Sequence, residues 1–262
     1  MKTLSLRGGC RIAPDAPPLV CAPLTARDSA ALTRQASEIA AQQPDLIEWR
    51  MDAFDALYDT GTMLEALFQL REAIDDTPIL LTCRSPREGG LRRDLDETRL
   101  LDTLQVLCAS GQADLLDFEC RANESHFALA RTLTQAAGMV LIGSSHDFDG
   151  TPDSATLRQA FARAHELGAD IAKVAVMPAN RGDVLRMMTA TLAADTTLPI
   201  PVIGISMGEL GRITRYSAAF IRSAITFAAA ADASAPGQIP LAELRRIFTI
   251  LPKENPDTRA FG

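Results

Sequence analysis

Ile171-Ala-Lys-Val-Ala-Val-Met177 is a short apolar run with a single lysine set in its middle. The chain has three lysines, and Lys2 and Lys253 lie near its ends, so Lys173 is the one placed inside a predicted core element. Burying an ammonium group is costly. It is relieved when the side chain snorkels from an edge strand, when a carboxylate pairs with it, or when its pKa falls and leaves a neutral amine that can attack a carbonyl. The last of these points to imine chemistry, and the rest of the chain must decide among them.

Outward from this run the sequence keeps one rhythm. β-like runs at Leu19–Leu24, Leu46–Asp52, Ile79–Arg84, Leu115–Cys120 and Met139–Ser144 precede it, while Pro201–Met207 and a weaker Ala224–Ala228 follow. Amphipathic stretches separate them and carry helix signals: Asp28 before 29–41, Asn123 opening a helix that stops at Gly138, and Asp153-Ser154 opening one that stops at Gly168. Strands joined by helices imply parallel crossovers, and eight such units predict a (β/α)8 TIM barrel. Leu4-Ser-Leu6 and Cys10-Arg-Ile12 around Gly8-Gly9 read as a short N-terminal β-hairpin. A doubly wound open sheet is the alternative, but no Gly-x-Gly-x-x-Gly follows the first run. Without a linker or compositional break, 1–262 is expected to be one barrel domain, with 253–262 fraying as a tail.

Composition narrows the function. A net charge of −7 argues against a nucleic-acid or anionic-membrane partner. The five cysteines form no Cys-x-x-Cys pair and fall mostly in apolar runs, the pattern of buried thiols in a reducing compartment. With neither a signal-like segment nor a long apolar span, a cytoplasmic location is expected.

Polar residues interrupt the apolar runs near their C-terminal ends, where barrel enzymes place their chemistry. Glu48, Arg50 and Asp52 alternate and share a face, as do Asp117 and Glu119. Arg84 ends the third run and leads into Ser85-Pro-Arg-Glu88-Gly-Gly90. His146 ends the fifth, next in barrel order to the run bearing Lys173, and is placed to act as a general acid/base. His126 and His165 fall in helical stretches and read as structural. Glu209-Leu-Gly-Arg-Ile-Thr-Arg215 after the seventh run reads as a loop for phosphate, or as one whose Arg215 clamps a carboxylate. Ala233-Ser-Ala-Pro-Gly-Gln238 reads as a flexible loop offering Ser234 and Gln238. No ligand set has metal spacing, so neither a metal nor another cofactor is expected.

Together these residues resemble the type I 3-dehydroquinate dehydratases, the Schiff-base-forming 3-dehydroquinases of the shikimate pathway, over nearly the whole chain. The resemblance rests on Glu48-Trp-Arg50-Met-Asp52, Thr82-Cys-Arg84 with Glu88-Gly-Gly90, Ser144-Ser-His146-Asp-Phe148, Lys173, Ser206-Met207-Gly208, Gly211-Arg-Ile-Thr-Arg215 and Ala233-Ser-Ala-Pro-Gly-Gln-Ile239. Thr214 stands where the family usually has serine. The resemblance implies dehydration of the small molecule 3-dehydroquinate by a homodimer. In it Lys173 forms the imine, His146 moves protons, and Glu119 supports the pair. Arg215 would hold the substrate carboxylate, assisted by Ser234 and Gln238. Glu48, Arg50 and Arg84 would hold ring hydroxyls, while Met207 and Phe227 form apolar wall. The competing readings are a lysine-dependent class I aldolase on the same barrel and a non-catalytic binding barrel.

Overall fold

The computed structural model describes residues 3–14, 16–229 and 237–250. In chain order the strands are β1 (Leu4–Ser5), β2 (Arg11–Ile12), β3 (Leu19–Leu24), β4 (Leu46–Arg50), β5 (Ile79–Thr82), β6 (Leu115–Glu119), β7 (Val140–Asp147), β8 (Ile171–Val176), β9 (Val202–Ser206), β10 (Ile225–Ala229) and β11 (Ile239–Pro240). The helices are α1 (Ser29–Ala40), α2 (Thr60–Ile74), α3 (Glu97–Ala109), α4 (Glu124–Ala137), α5 (Ser154–Glu166), α6 (Arg181–Thr197), α7 (Gly208–Tyr216) and α8 (Leu241–Ile250). β3 to β9 pair in parallel in chain order, β10 pairs with β3, and β11 adds to β10. The sheet curls until β9 meets the start of β10, where Val202 bridges Ser223 and the Ala224 N–H donates to the Val202 carbonyl at 2.8 Å. This is the expected (β/α)8 barrel.

Strand periodicity builds its two cores. Alternate residues such as Val20, Ile47, Leu81, Leu116, Leu141, Ala172 and Val202 face the helices. Their neighbours Cys21, Leu46, Leu80, Leu115, Ile142, Ile171, Ile203 and Ile225 fill the barrel, where Leu4 and Ile12 of the antiparallel β1–β2 hairpin pack against them. Moving toward the C-terminal ends, the inward positions turn polar: Leu46 gives way to Glu48 and Arg50, Leu115 to Asp117 and Glu119, Ile142 to Ser144 and His146, and Ile171 to Lys173. The interior therefore has an apolar floor and a polar mouth.

The expected caps are present. Asp28, Asn123 and Asp153 each accept a backbone N–H in the first turn of α1, α4 and α5, and Gly138 closes α4 in the left-handed conformation. Boundaries differ where side chains redirect the backbone. Asp52 lies beyond β4 in a 3₁₀ turn, from which it grips Arg50 and accepts the N–H groups of Arg84 and Leu91. β7 runs past Ser144 to Asp147 because pairing with β8 continues there, so His146 lies within a strand. The loop expected over 209–215 is the helix α7, with the Thr214 hydroxyl donating to the Gly211 carbonyl at 2.8 Å. The tail at 253–262 lies outside the described residues.

Outward packing is tight at Gly204 of β9, where an added Cβ would come within 1.8 Å of the Thr191 hydroxyl on α6. Gly204→Ala is expected to lose about 1–3 kcal/mol of stability, measurable as a lower denaturation midpoint with unchanged slope. All five cysteines are free, and burial pushes the thiols of Cys108 and Cys120 up to about 12. Among the described residues no helix is long and apolar enough to cross a membrane.

Candidate active site

At the polar mouth, a cavity enclosing about 660 Å³ and open to solvent is lined by Glu48, Arg50, Arg84, His146, Lys173, Met207, Arg215, Phe227 and Gln238. Nine of the positions singled out in the sequence thus converge from strands β4, β7, β8 and β10, from just beyond β5 and β9, from helix α7 and from the approach to β11. Thr82, Glu88, Gly89 and Phe148 complete much of the wall. Ser234 lies outside the described residues.

Lys173 is 4% exposed, and its burial is relieved by a carboxylate: its Nζ donates to Asp117 Oδ2 at 2.8 Å. The same Nζ lies 4.3 Å from the centre of the Phe227 ring, a cation–π distance. Asp117, on the inner face of β6, also accepts Arg84 Nη2 at 2.8 Å and the Ser144 hydroxyl at 2.6 Å. Burial pushes the Asp117 carboxyl up, but Arg84 and then Lys173 outweigh it and hold the group well below the usual carboxylate range. This pairing was not anticipated from sequence, although the shared face of Asp117 and Glu119 was a signal for it.

Arg84 is the hub of the network. Besides Asp117, it donates through Nη1 to Ser144 at 2.8 Å and to Glu119 at 3.3 Å. Glu119 also accepts the Ser85 N–H at 2.8 Å. Glu119 therefore holds Arg84 and the turn after β5, and among the described residues its hydrogen bonds do not run to Lys173 or His146. The carboxylate beside the histidine is Glu88, whose Oε2 lies 2.8 Å from His146 Nδ1 and accepts the His146 backbone N–H at 2.9 Å. Glu88 is positioned by a 3₁₀ turn closed by Gly89 at φ +85, against which the Phe148 ring packs so closely that a Cβ there would come within 2.3 Å.

Both partners of this pair are driven toward their neutral forms. Burial, with Arg84 and Lys173 nearby, takes His146 well below its ordinary value, and burial with Glu119 pushes Glu88 up to about 8 against the pull of Arg84. With Glu88 ionised, Nδ1–H donates to it and Nε2 keeps a lone pair for a proton. With Glu88 protonated, its O–H donates to Nδ1 and Nε2 carries the hydrogen. The histidine thus becomes a base as pH rises through about 8. Activity should climb over that limb, and Glu88→Gln should flatten it while lowering the plateau, as a pH–rate profile would test. The linkage has a defined sign: the fold raises the Glu88 pKa, so its contribution to stability is present at acid pH and lost as pH rises through about 8. Relative to the unsubstituted protein, Glu88→Gln should therefore melt higher at alkaline than at acid pH.

On the other side of the cavity, Glu48 accepts the Thr82 hydroxyl at 2.8 Å, and Arg50 makes a two-pronged bond to Asp52 at 2.9 and 2.8 Å. Arg215 comes from the last turn of α7, 3% exposed, with Nη1 donating to the Ser206 carbonyl at 3.2 Å. Burial, then Arg212, lowers its pKa to about 10, so it stays cationic at neutral pH, and it lines the cavity together with Met207 and Phe227. The arrangement is suited to a small, polar, anionic ring held over a lysine and a histidine.

Comparison with known proteins agrees with this geometry. The family model for type I 3-dehydroquinase matches residues 20–255. A 3-dehydroquinate dehydratase from Geobacillus kaustophilus is 42% identical over 234 residues, covering 89% of this chain and 91% of that one. Its crystal structure superposes with a TM-score of 0.90 at 40% identity, covering 95% and 96% of the two chains. A type I 3-dehydroquinate dehydratase from Clostridium difficile, solved with covalently modified comenic acid, gives a TM-score of 0.90 at 31% identity over 95% and 97% of the chains. With its barrel, its buried lysine and histidine and these matches along its length, the chain belongs to the type I 3-dehydroquinase family.

Proposed function

We propose that this chain is a hydro-lyase converting 3-dehydroquinate to 3-dehydroshikimate through an imine on Lys173. The observation that carries the reading is the placement of the buried Lys173 and His146 in one cavity, on adjacent strands β8 and β7, with arginines around it. The Lys173 amine attacks the C3 ketone and its oxygen leaves as water. The iminium draws electrons from C2, so a weak base suffices to remove a proton there. His146 is that base, with Glu88 steadying the imidazolium that results, and the same imidazolium then protonates the departing C1 hydroxyl. Hydrolysis of the imine releases the product and restores the amine.

Arg215 takes the substrate carboxylate through its planar fork. Glu48 and Arg50 bind ring hydroxyls, and Met207 and Phe227 exclude water from the imine. Arg84 is already engaged by Asp117, Glu119 and Ser144. Its role is to set the charge beneath the substrate as much as to touch it, and Glu119 acts by fixing Arg84. Ser234, which lies between β10 and β11 in the sequence, joins Gln238 at the carboxylate. The test is borohydride treatment with 3-dehydroquinate followed by peptide mass mapping. Added mass confined to Lys173 supports the reading; elimination of water without any adduct would sink it.

A homodimer acting in the cytoplasm completes the proposal. Leu185 and Leu192 on α6 and Leu210 and Ile213 on α7 stay exposed, supplying an apolar face for a second copy. A monomeric mass by sedimentation would overturn that part.

A further inference from the structure

We propose that Asp117 is the counter-ion of the iminium formed on Lys173, keeping that nitrogen protonated through the reaction; this rests on the imine reading above. The geometry carries it. Asp117 has no exposed side-chain surface, yet one oxygen lies 2.8 Å from the reacting nitrogen. It approaches from β6, inside the barrel, while the ring of Phe227 lies against the same nitrogen. Its other oxygen is held by Arg84 at 2.8 Å and by Ser144 at 2.6 Å, so the carboxylate cannot turn away.

The chemistry needs such a group. Counted from the Lys173 ammonium, forming the iminium replaces two of the three nitrogen hydrogens with a double bond to C3 and releases water, and the hydrogen that remains makes the nitrogen cationic. Only this protonated form is a strong electron sink. When C2–H gives its proton to His146, the pair left on C2 forms C2=C3 and the C3=N pair returns to nitrogen, giving a neutral enamine that keeps its N–H. The nitrogen pair then re-forms C3=N, C2=C3 shifts to C1=C2, and the C1 oxygen leaves as water with the proton from His146. The nitrogen thus alternates between cationic and neutral while its N–H is always available to Asp117. Arg84 remains beside that carboxylate in both states, so the neutral stage does not leave a buried charge unpaired. The other titratable groups around the pair include Glu88, Glu119 and His146, with the thiols of Cys21 on β3 and Cys120 just beyond β6, which burial keeps protonated.

Cyanoborohydride reduces iminium ions and spares neutral imines and ketones, so it reads the protonation state directly. After incubation with 3-dehydroquinate and this reagent between about pH 5 and about pH 10, mass added at Lys173 should persist to high pH in the unsubstituted protein. In Asp117→Asn, which keeps an acceptor for Arg84, the midpoint of its loss should fall by at least about one pH unit, and the dehydration rate should decline with the same midpoint. A profile superposing on that of the unsubstituted protein overturns the proposal. Ser144→Ala keeps the charge but removes a hydrogen bond that draws on it, and should move the midpoint upward; an unchanged or lower midpoint counts against the proposal even if Asp117→Asn does not fold. If the unsubstituted protein itself gives neither adduct nor product, the imine reading has failed. If it gives both and the Asp117→Asn profile is unshifted, only the counter-ion assignment has failed.

Discussion

Lys173→Ala is expected to reduce dehydration by at least about 10⁴-fold, roughly 5 kcal/mol of barrier, and to abolish the borohydride adduct. Without the amine no iminium forms, and the C2 proton must be taken from a free ketone that acidifies it far less. The variant should still fold and bind substrate. Asp117 retains Arg84 and Ser144, and Arg215 stands in a different element, α7. A thermal melt and the absorbance of the conjugated product provide the two readouts. Activity within tenfold of the unsubstituted protein would remove the covalent step from the mechanism and reopen the reading of the whole cavity.

His146→Ala is expected to separate the two halves of the reaction. Turnover should fall by about 10³-fold, near 4 kcal/mol, because no other side chain hydrogen-bonded in this cluster offers a neutral base at this position. The adduct at Lys173 should still be trapped, since the amine and its Asp117 partner are untouched. Glu88 would lose the ring but keep the backbone N–H of residue 146 at 2.9 Å, so the turn after β5 should hold. Loss of both turnover and adduct would instead place the histidine's essential role before the imine. Lys173→Ala and His146→Ala thus give different patterns, one without adduct and one with it.

Much of this protein is written locally. Strand periodicity around Ile171–Val176 and its seven companions, with the caps at Asp28, Asn123 and Asp153, is enough for a barrel, because alternation and capping depend on residues close in sequence. The inward positions could be read the same way, which is why Lys173, His146, Arg84 and Arg50 were found together in the cavity. Contacts across the barrel could not. Asp117 and Glu119 share a face, yet Asp117 reaches Lys173 two strands away, whereas Glu119 meets Arg84 from the end of β5. Glu88 reaches His146 because a turn closed by Gly89 swings it inward over 58 residues of separation. Likewise, Arg215 reached the cavity on a helix where a loop was expected, since α7 buries Gly211, Thr214 and Arg215 and exposes Leu210 and Ile213, the reverse of the usual amphipathic arrangement. The sequence by itself determined the barrel and the residues turned toward its mouth. Only the tertiary structure decided which carboxylate serves which base, because that depends on the curl of the sheet and the reach of each side chain across it.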